Sequence, residues 1–252
     1  MTMVTASRVN FVVAGAQKSG TRALRKFLAN HPDIGVPKPS KPEPHFFDWV
    51  LDNRKDRSWA ELWQTYHEMF DADALDLVTG DVTPNYIYHP DAVRRIYDYN
   101  RRMKIVVILR NPIERAYSQW VMQRESGAES RKFLPALVNE RNVLKRLGHH
   151  RNFSYLHRGL YDQQVNRLLE IFPKGQCLFI KTERLRDNHK STLTSVFEFL
   201  EVATAHVPPK EVVHHRDYQK MSALSRSILR RYFQLSISRL EDLLGWDCSD
   251  WQ

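Results

Sequence analysis

At 252 residues, 42% hydrophobic and 27% charged, the chain can bury a sizeable core and has the composition of an ordinary soluble globular protein, read most simply as one domain over residues 1–252. No stretch, MTMVTASRVN at the N-terminus included, has the apolar length of a membrane span or a secretory signal, so a cytoplasmic protein is expected. A net charge of +9 favours anionic partners, but no basic block reaches the density of a nucleic-acid arm and no aromatic-interleaved RNA-binding signature occurs, which leaves nucleotides, polyanionic sugars and membrane surfaces ahead of nucleic acid.

The first element is the one around which the rest is organised. Val9 to Ala14 is a β-branched, nearly all-apolar run that predicts a strand buried on both faces. Gly15-Ala-Gln-Lys-Ser-Gly20 then makes a turn, and Thr21 to Leu28 resumes as a helix with Leu24, Phe27 and Leu28 at helical spacing. Strand, glycine loop and helix form an anion cradle, because amide N–H groups and the helix dipole converge on the loop. The two glycines have Walker A spacing, but a nucleoside triphosphatase places Lys and then Ser or Thr after the second one. Here Thr21 and Arg22 follow, and the lysine comes earlier, at Lys18. A phosphate-type ligand without the usual ATP and magnesium arrangement is expected.

Ile34 to Val36 predicts a short strand, and Pro37 to Pro44, with proline at alternate positions, a stiffened loop. The loop leads into His45-Phe-Phe-Asp-Trp49. Glu43 and His45 share a side of extended chain and are candidates for proton transfer, against the plainer reading of an exposed acid beside a packed histidine. Ser58 and Glu61 spell a capping box for a helix to Phe70 with an aromatic stripe, read as core. Leu77 to Val82 predicts a strand closed by Thr83-Pro84, and Pro90 to Tyr99 a short helix.

Lys104 to Leu109 is the clearest strand. It enters Arg110-Asn-Pro-Ile-Glu114, where Asn111 caps, Pro112 takes the first helical position and Glu114 completes a box, for a helix to about Arg124. Arg110 thus ends a strand just before a helix N-terminus, with Ser118 two turns along. This second anion-binding corner lies at the strand-end edge where α/β folds take ligands, and two corners suit a ligand phosphorylated at both ends.

Residues 126 to 157 read as polar, basic and irregular, either an acceptor-covering loop or a solvated segment. Their histidines, His149, His150 and His157, with His189 beyond, lack metal-ligand spacing, and Cys177 and Cys248 read as buried thiols; no metal site is expected. Helices are predicted from the Arg158–Tyr161 opening to Phe172, from Thr192 to Leu200, and from Leu224 to Leu244, with a strand over Gln176–Lys181. A basic stretch with His214, His215, Arg216 and Lys220 precedes the last helix. The alternation of strands and helices implies a three-layer α/β/α fold on a central parallel sheet.

GAQKSGTRAL (15–24), PEPHFFDW (42–49), DVTPNY (81–86) and RNPIERAYSQW (110–120), in this order, resemble the sulfotransferases that use 3′-phosphoadenosine 5′-phosphosulfate (PAPS), in particular the branch of heparan sulfate glucosaminyl 3-O- and N-sulfotransferase domains and their bacterial relatives. RGLY (158–161) agrees more loosely. The resemblance implies a P-loop-like sulfotransferase fold in which Gln17, Lys18, Ser19, Gly20, Thr21 and Arg22 hold the 5′-phosphosulfate and Arg110 and Ser118 the 3′-phosphate. Tyr161 and Lys220 are further PAPS contacts by the same comparison. It makes Glu43 the catalytic base, Lys18 and His45 its catalytic companions, and the reaction an in-line, metal-free sulfuryl transfer from PAPS to a hydroxyl or amine of an acceptor, favouring a saccharide. It also implies a bacterial cytosolic enzyme. Two departures stand out: eukaryotic members carry Lys before Thr-Pro and before the Glu, where this chain has Val82 and Pro42. Lys41, Lys38 or the 214–220 stretch are the cations available to replace them. A small-metabolite P-loop kinase and a non-catalytic polyanion-binding protein are the other readings; Arg22 in the Walker Ser/Thr place counts against the first.

Overall fold

In the computed structural model, described over residues 8–37, 40–71, 77–211 and 219–251, five parallel strands build one twisted sheet in the order β2-β3-β1-β4-β5. The strands are β1 (Phe11–Gly15), β2 (Ile34–Gly35), β3 (Val78–Val82), β4 (Lys104–Leu109) and β5 (Cys177–Lys181). Helices cover both sides, so the apolar runs of β1 and β4 have no solvent-facing polar side, while β3 buries Thr79 and Asp81. Along β1, Val12 and Ala14 point into one core while Phe11 and Val13 enter the other, and β4 divides Ile105, Val107 and Leu109 from Val106 and Ile108 in the same way.

The smaller layer consists of α1 (Thr21–Ala29), α7 (Thr182–Asp187) and α8 (His189–Leu200), which contribute Leu24, Phe27, Leu185, Leu193 and Phe197. The larger layer holds α2 (Trp59–His67), α3 (Ala92–Tyr99), α4 (Pro112–Glu125), α5 (Phe133–Leu147), α6 (Tyr161–Leu169) and the long α9 (Ala223–Leu244), packed on the opposite face. This is the expected three-layer α/β/α arrangement.

The capping box at Ser58 forms as written, with Ser58 N donating to Glu61 Oε2 at 2.8 Å, and Gly245 closes α9 at positive φ. The clearest error of sequence reading is 126–157, taken as irregular. Phe133, Ala136, Leu137, Glu140 and Val143 recur at helical spacing and form the buried stripe of α5. Its N-terminus has no side-chain cap and a proline near the start, so no start signal marks it, although Gly148 closes it at φ 69°. Helix α7 was likewise unread, and α8 begins three residues before Thr192.

Candidate active site

The loop between β1 and α1 lies at the C-terminal edge of the sheet. Ala16 N donates to the Ile108 carbonyl at 2.7 Å, tying the loop to β4, and Ser19 N returns to the Ala16 carbonyl at 3.1 Å. Lys18 and Gly20 take positive φ, 70° and 96°, a backbone that glycine adopts freely and lysine does not. Gly15 is needed for space: a Cβ there would fall 2.3 Å from Ile87 Cγ2. Neither a side-chain cap nor a first-turn acid satisfies the start of α1, so its first amides face an anion-compatible corner. Buried Ser19 Oγ and Gln17 Oε1 have no hydrogen-bond partner among the described residues. Polar atoms left so at a helix N-terminus fit a phosphate-type group. Thr21 is buried behind the loop, whereas Arg22 is exposed.

The second corner adjoins the first because β1 and β4 are neighbours in the sheet. Half-buried Arg110 leaves β4 and donates from Nη1 to the Lys18 carbonyl at 3.4 Å. Ser118 is buried on α4, whose N-terminus Asn111 caps by accepting from Ile113 N at 2.9 Å. Tyr161, the first residue of α6, is fully buried with its hydroxyl against Ser19 and the Arg110 backbone, without an aligned hydrogen bond. Burial raises its pKa, opposed by Arg115 and these neighbours. The fold therefore brings Ser19, Arg110 and Tyr161 together from three distant stretches. Lys220 is exposed; the Tyr117 hydroxyl, next along α4 from Ser118, donates to the carbonyl of Gln219 at 2.9 Å.

Glu43 sits half-buried on the proline loop, 3.2 Å from His45 Nε2, and His45 Nδ1 lies 2.9 Å from Asp48 Oδ2. Burial disfavours charge on His45, but its bonds to Asp48 and Glu43 outweigh that and lift its pKa to about 9. Asp48 is likewise opposed by burial, but His45, Asn85 and the Trp49 amide hold it down to about 2. Protonated, the His45 ring spans the two carboxylates; neutral, it keeps Nδ1–H on Asp48 and accepts from Arg151 Nη2 at 2.9 Å.

The DVTPNY stretch is the clamp for this loop. Thr83 Oγ1 accepts from His45 N at 3.3 Å, Asn85 donates to Asp48, and Tyr86 Oη accepts from Phe46 N at 2.8 Å. Beneath them, buried Asp81 accepts from Thr83 (2.7 Å), Tyr86 (2.8 Å) and Tyr66 (3.0 Å); its burial raises the pKa to about 6, against the pull of those three hydroxyls. Val82, between Asp81 and Thr83, points to the other face and packs in the core with Val13. Lys41 is committed to an exposed ion pair with Asp71 at 2.6 Å. Lys38, His214, His215 and Arg216 lie outside the described residues. The cation that adjoins Glu43 is Arg25 of α1, which donates to the Pro37 (2.8 Å) and Lys41 (3.0 Å) carbonyls; burial lowers its pKa while Glu43 and Asp81 favour its charge. Sequence reading missed Arg25, Asp48, Asp81, Tyr86 and Arg151. Only the alternation of Asp81 with Thr83 and the i, i+3 spacing of His45 with Asp48 could have signalled them.

The histidines disperse rather than cluster. His189 Nε2 contacts the Pro208 carbonyl at 2.9 Å, His157 Nδ1 lies 3.2 Å from the Tyr88 hydroxyl, and His150 Nδ1 accepts from Asn152 N at 3.0 Å. His149 is the exception: with Asp52 and His89 it forms a set in which each residue brings one donor atom within 4.8 Å of the others. In it, His89 Nε2 lies 3.0 Å from Asp52 Oδ2, and Asp91 N donates to Nδ1 at 3.3 Å, so the protein already uses both ring nitrogens. Among the described residues no helix is long and apolar enough to cross a membrane.

Comparison with known proteins agrees with this geometry. The family model "Sulfotransferase domain" matches residues 9–239. The chain belongs to the sulfotransferase family. It is 31% identical over 192 residues to the mouse protein heparan sulfate glucosamine 3-O-sulfotransferase 6, covering 75% of this chain and 51% of that one. Mouse heparan sulfate glucosamine 3-O-sulfotransferase 3B1 is 29% identical over 189 residues, with 75% and 45% covered. The chain thus spans about half the length of these curated relatives. Among solved structures, a sulfotransferase from Alicyclobacillus acidocaldarius superimposes with a TM-score of 0.83 at 28% identity, over 98% of this chain and 99% of that one.

Proposed function

We propose that the chain is a single-domain, PAPS-dependent sulfotransferase that acts on a hydroxyl or amine of a saccharide, with Glu43 as general base. The observation that carries this reading is the junction of the two anion corners, where Arg110 touches the Lys18 carbonyl and Tyr161 is wedged against Ser19 and Arg110. One ligand with phosphates at both ends would satisfy the orphaned Ser19 hydroxyl and the Arg110 guanidinium at once. Saccharide acceptors are favoured by the heparan sulfate relatives and by the basic surface.

In the proposed reaction the acceptor oxygen or nitrogen forms a bond to sulfur as the bond from sulfur to the 5′-phosphate oxygen breaks, leaving 3′-phosphoadenosine 5′-phosphate. Glu43 takes the acceptor proton, and His45, held by Asp48, fixes the carboxylate's direction through Nε2. Lys18 and the amides at the start of α1 offset charge on the departing phosphate. Alignment of donor and acceptor supplies the remainder of the rate.

The test is calorimetric titration with 3′-phosphoadenosine 5′-phosphate, beside 5′-AMP and ATP with magnesium. We expect binding of the bisphosphate in preference to both, weakened about 10- to 100-fold by Arg110→Ala, as befits loss of hydrogen bonds to a charged group. Preference for ATP with magnesium would replace the reading with a kinase, and no nucleotide binding with a polyanion binder.

A further inference from the structure

Between α5 and α9 lies a trough of about 930 Å³, near the upper end of the range for ligand pockets, and none of its walls comes from the donor loop. Leu134, Val138 and Leu144 line it from α5, and Ile228, Leu229 and Tyr232 from α9. The fold leaves this apolar surface open: Val138 is 71% exposed, and Ile228 and Tyr232 46% each. On α9 it runs on beyond the trough, because Leu224, Ile228, Tyr232 and Leu235 recur at helical spacing and the outer two are 66% and 71% exposed. Single exposed apolar side chains are ordinary, but a run of them along one face marks a contact surface.

The free charge around this surface has one sign. Arg141 and Lys145, one turn apart on α5, line the trough, are exposed and make no hydrogen bond or ion pair with another described residue. Arg231 is exposed three residues after Ile228 and four before Leu235, so it borders the stripe on α9. From Ala223 to Leu240 that helix carries no acid. The one acid of α5, Glu140, is buried, with its carboxyl turned to accept from Leu156 N and His157 N at 2.7 and 2.8 Å. A second copy of the chain, meeting this face about a twofold axis, would set the cations against themselves. A bilayer leaflet with anionic headgroups offers what both parts of the face lack, acyl chains for the stripe and phosphates for the arginines and lysine, whose aliphatic stems lie along the apolar surface while their charges stay in water.

We infer that the face formed by α5 and α9 docks on an anionic lipid surface, with acyl chains against the trough and lipid phosphates on Arg141, Lys145 and Arg231. His157, in the trough wall, lies 3.2 Å by Nδ1 from the Tyr88 hydroxyl, and Tyr88 also lines the small cavity beside Asp48. Docking therefore holds the acceptor side of the proposed site near the lipid while using no residue of the donor corners.

The test is co-sedimentation of the full chain with vesicles of phosphatidylcholine alone and of equal parts phosphatidylcholine and phosphatidylglycerol. Binding is expected to the mixed vesicles and at least tenfold more weakly to phosphatidylcholine alone. Each cation at an anionic surface adds about fivefold to partitioning, so Arg141→Gln with Lys145→Gln should lose roughly 25-fold. Val138→Gln with Ile228→Gln, which leaves the charge unchanged, should lose at least tenfold. Arg101→Gln with Arg102→Gln removes the same charge outside the trough and should lose far less. An equal loss in that control would assign binding to net charge and overturn the inference, as would no binding to the mixed vesicles or unchanged binding by either trough pair. Circular dichroism checks each fold. Should a trough pair fail to fold, Leu224→Gln with Leu235→Gln, or Arg231→Gln, takes its place, with a severalfold loss expected and unchanged binding overturning the inference. A dimer in analytical ultracentrifugation that Val138→Gln with Ile228→Gln splits would make a second copy the occupant and overturn it likewise.

Discussion

Replacing Tyr86 and, separately, Tyr66 with phenylalanine isolates what the clamp does for the base. Both hydroxyls donate to Asp81 Oδ2, at 2.8 and 3.0 Å, and both side chains are fully buried. Only Tyr86 also accepts from Phe46 N, at 2.8 Å, and so anchors the segment that follows Glu43 and His45. A hydrogen bond to a buried carboxylate contributes about 1.5–3 kcal/mol, and an amide left unpaired in the core costs a further ~1–3 kcal/mol. Tyr66→Phe should therefore lose about 1.5–3 kcal/mol and Tyr86→Phe about 2.5–6 kcal/mol. At about 2–4 °C per kcal/mol for a chain of this size, the two melting points should differ by several degrees. The loss should be larger again in turnover, because displacing the Phe46 backbone shifts His45 and Glu43 relative to the donor. Urea unfolding, thermal melts and transfer kinetics, with nucleotide binding as the control, test this. Equal destabilisation and equal turnover in the two variants would refute the assignment of Tyr86 as the anchor.

The His45–Asp48 pair predicts a two-sided pH profile. A histidine pKa raised to about 9 gives stability that is complete below its unfolded value near 6.5 and lost as pH rises through 9, on the order of 2–3 kcal/mol; Asp48, lowered to about 2, gives stability lost only as pH falls below about 4. Urea midpoints measured from pH 7.5 to 9, above the titration of buried Asp81 and Glu140 and below that of the thiols, should fall in the parent and fall much less in His45→Asn. Burial pushes the thiols of Cys177 and Cys248 up to about 12, so a thiol reagent at pH 8 should label neither in the native protein and both after denaturation.

Where a property was carried by period or by a local cap, the sequence displayed it. The apolar runs of β1 and β4 and the Ser58 box announce themselves because each depends on neighbours within a turn or two. The turn between β1 and α1 was legible for the same reason: Gly15, Lys18 and Gly20 shape it through their own backbone. Helix α5 was lost because its start lacks a side-chain cap and its stripe includes the charged Glu140, whose carboxyl is buried to accept from Leu156 N and His157 N at 2.7 and 2.8 Å. The scaffold of the base was invisible on different grounds. Asp81, Tyr66 and Tyr86 matter only because a strand, a helix and a turn converge on one carboxylate, and no spacing within any of them encodes that convergence. Arg158 is a stronger instance: its sequence context marks a helix start, while its unpaired donors arise from burial among residues 70 positions away.

Arg25 links these two kinds of construction. It lies one turn after Thr21, so the helix that begins at the donor loop also carries the side chain that grips the Pro37 and Lys41 carbonyls on the loop before Glu43. Proline at alternate positions stiffens that loop, and two hydrogen bonds from a planar guanidinium fix its height above α1. In the proposed reaction the relation between the donor's phosphates and the base is thus set through one helix rather than across the sheet. Arg151 and Arg158 come from the segment after α5 and meet this link where Arg151 Nη2 reaches His45 Nε2 at 2.9 Å. On the reading proposed above, that contact is where a change of charge on the acceptor side would reach the base.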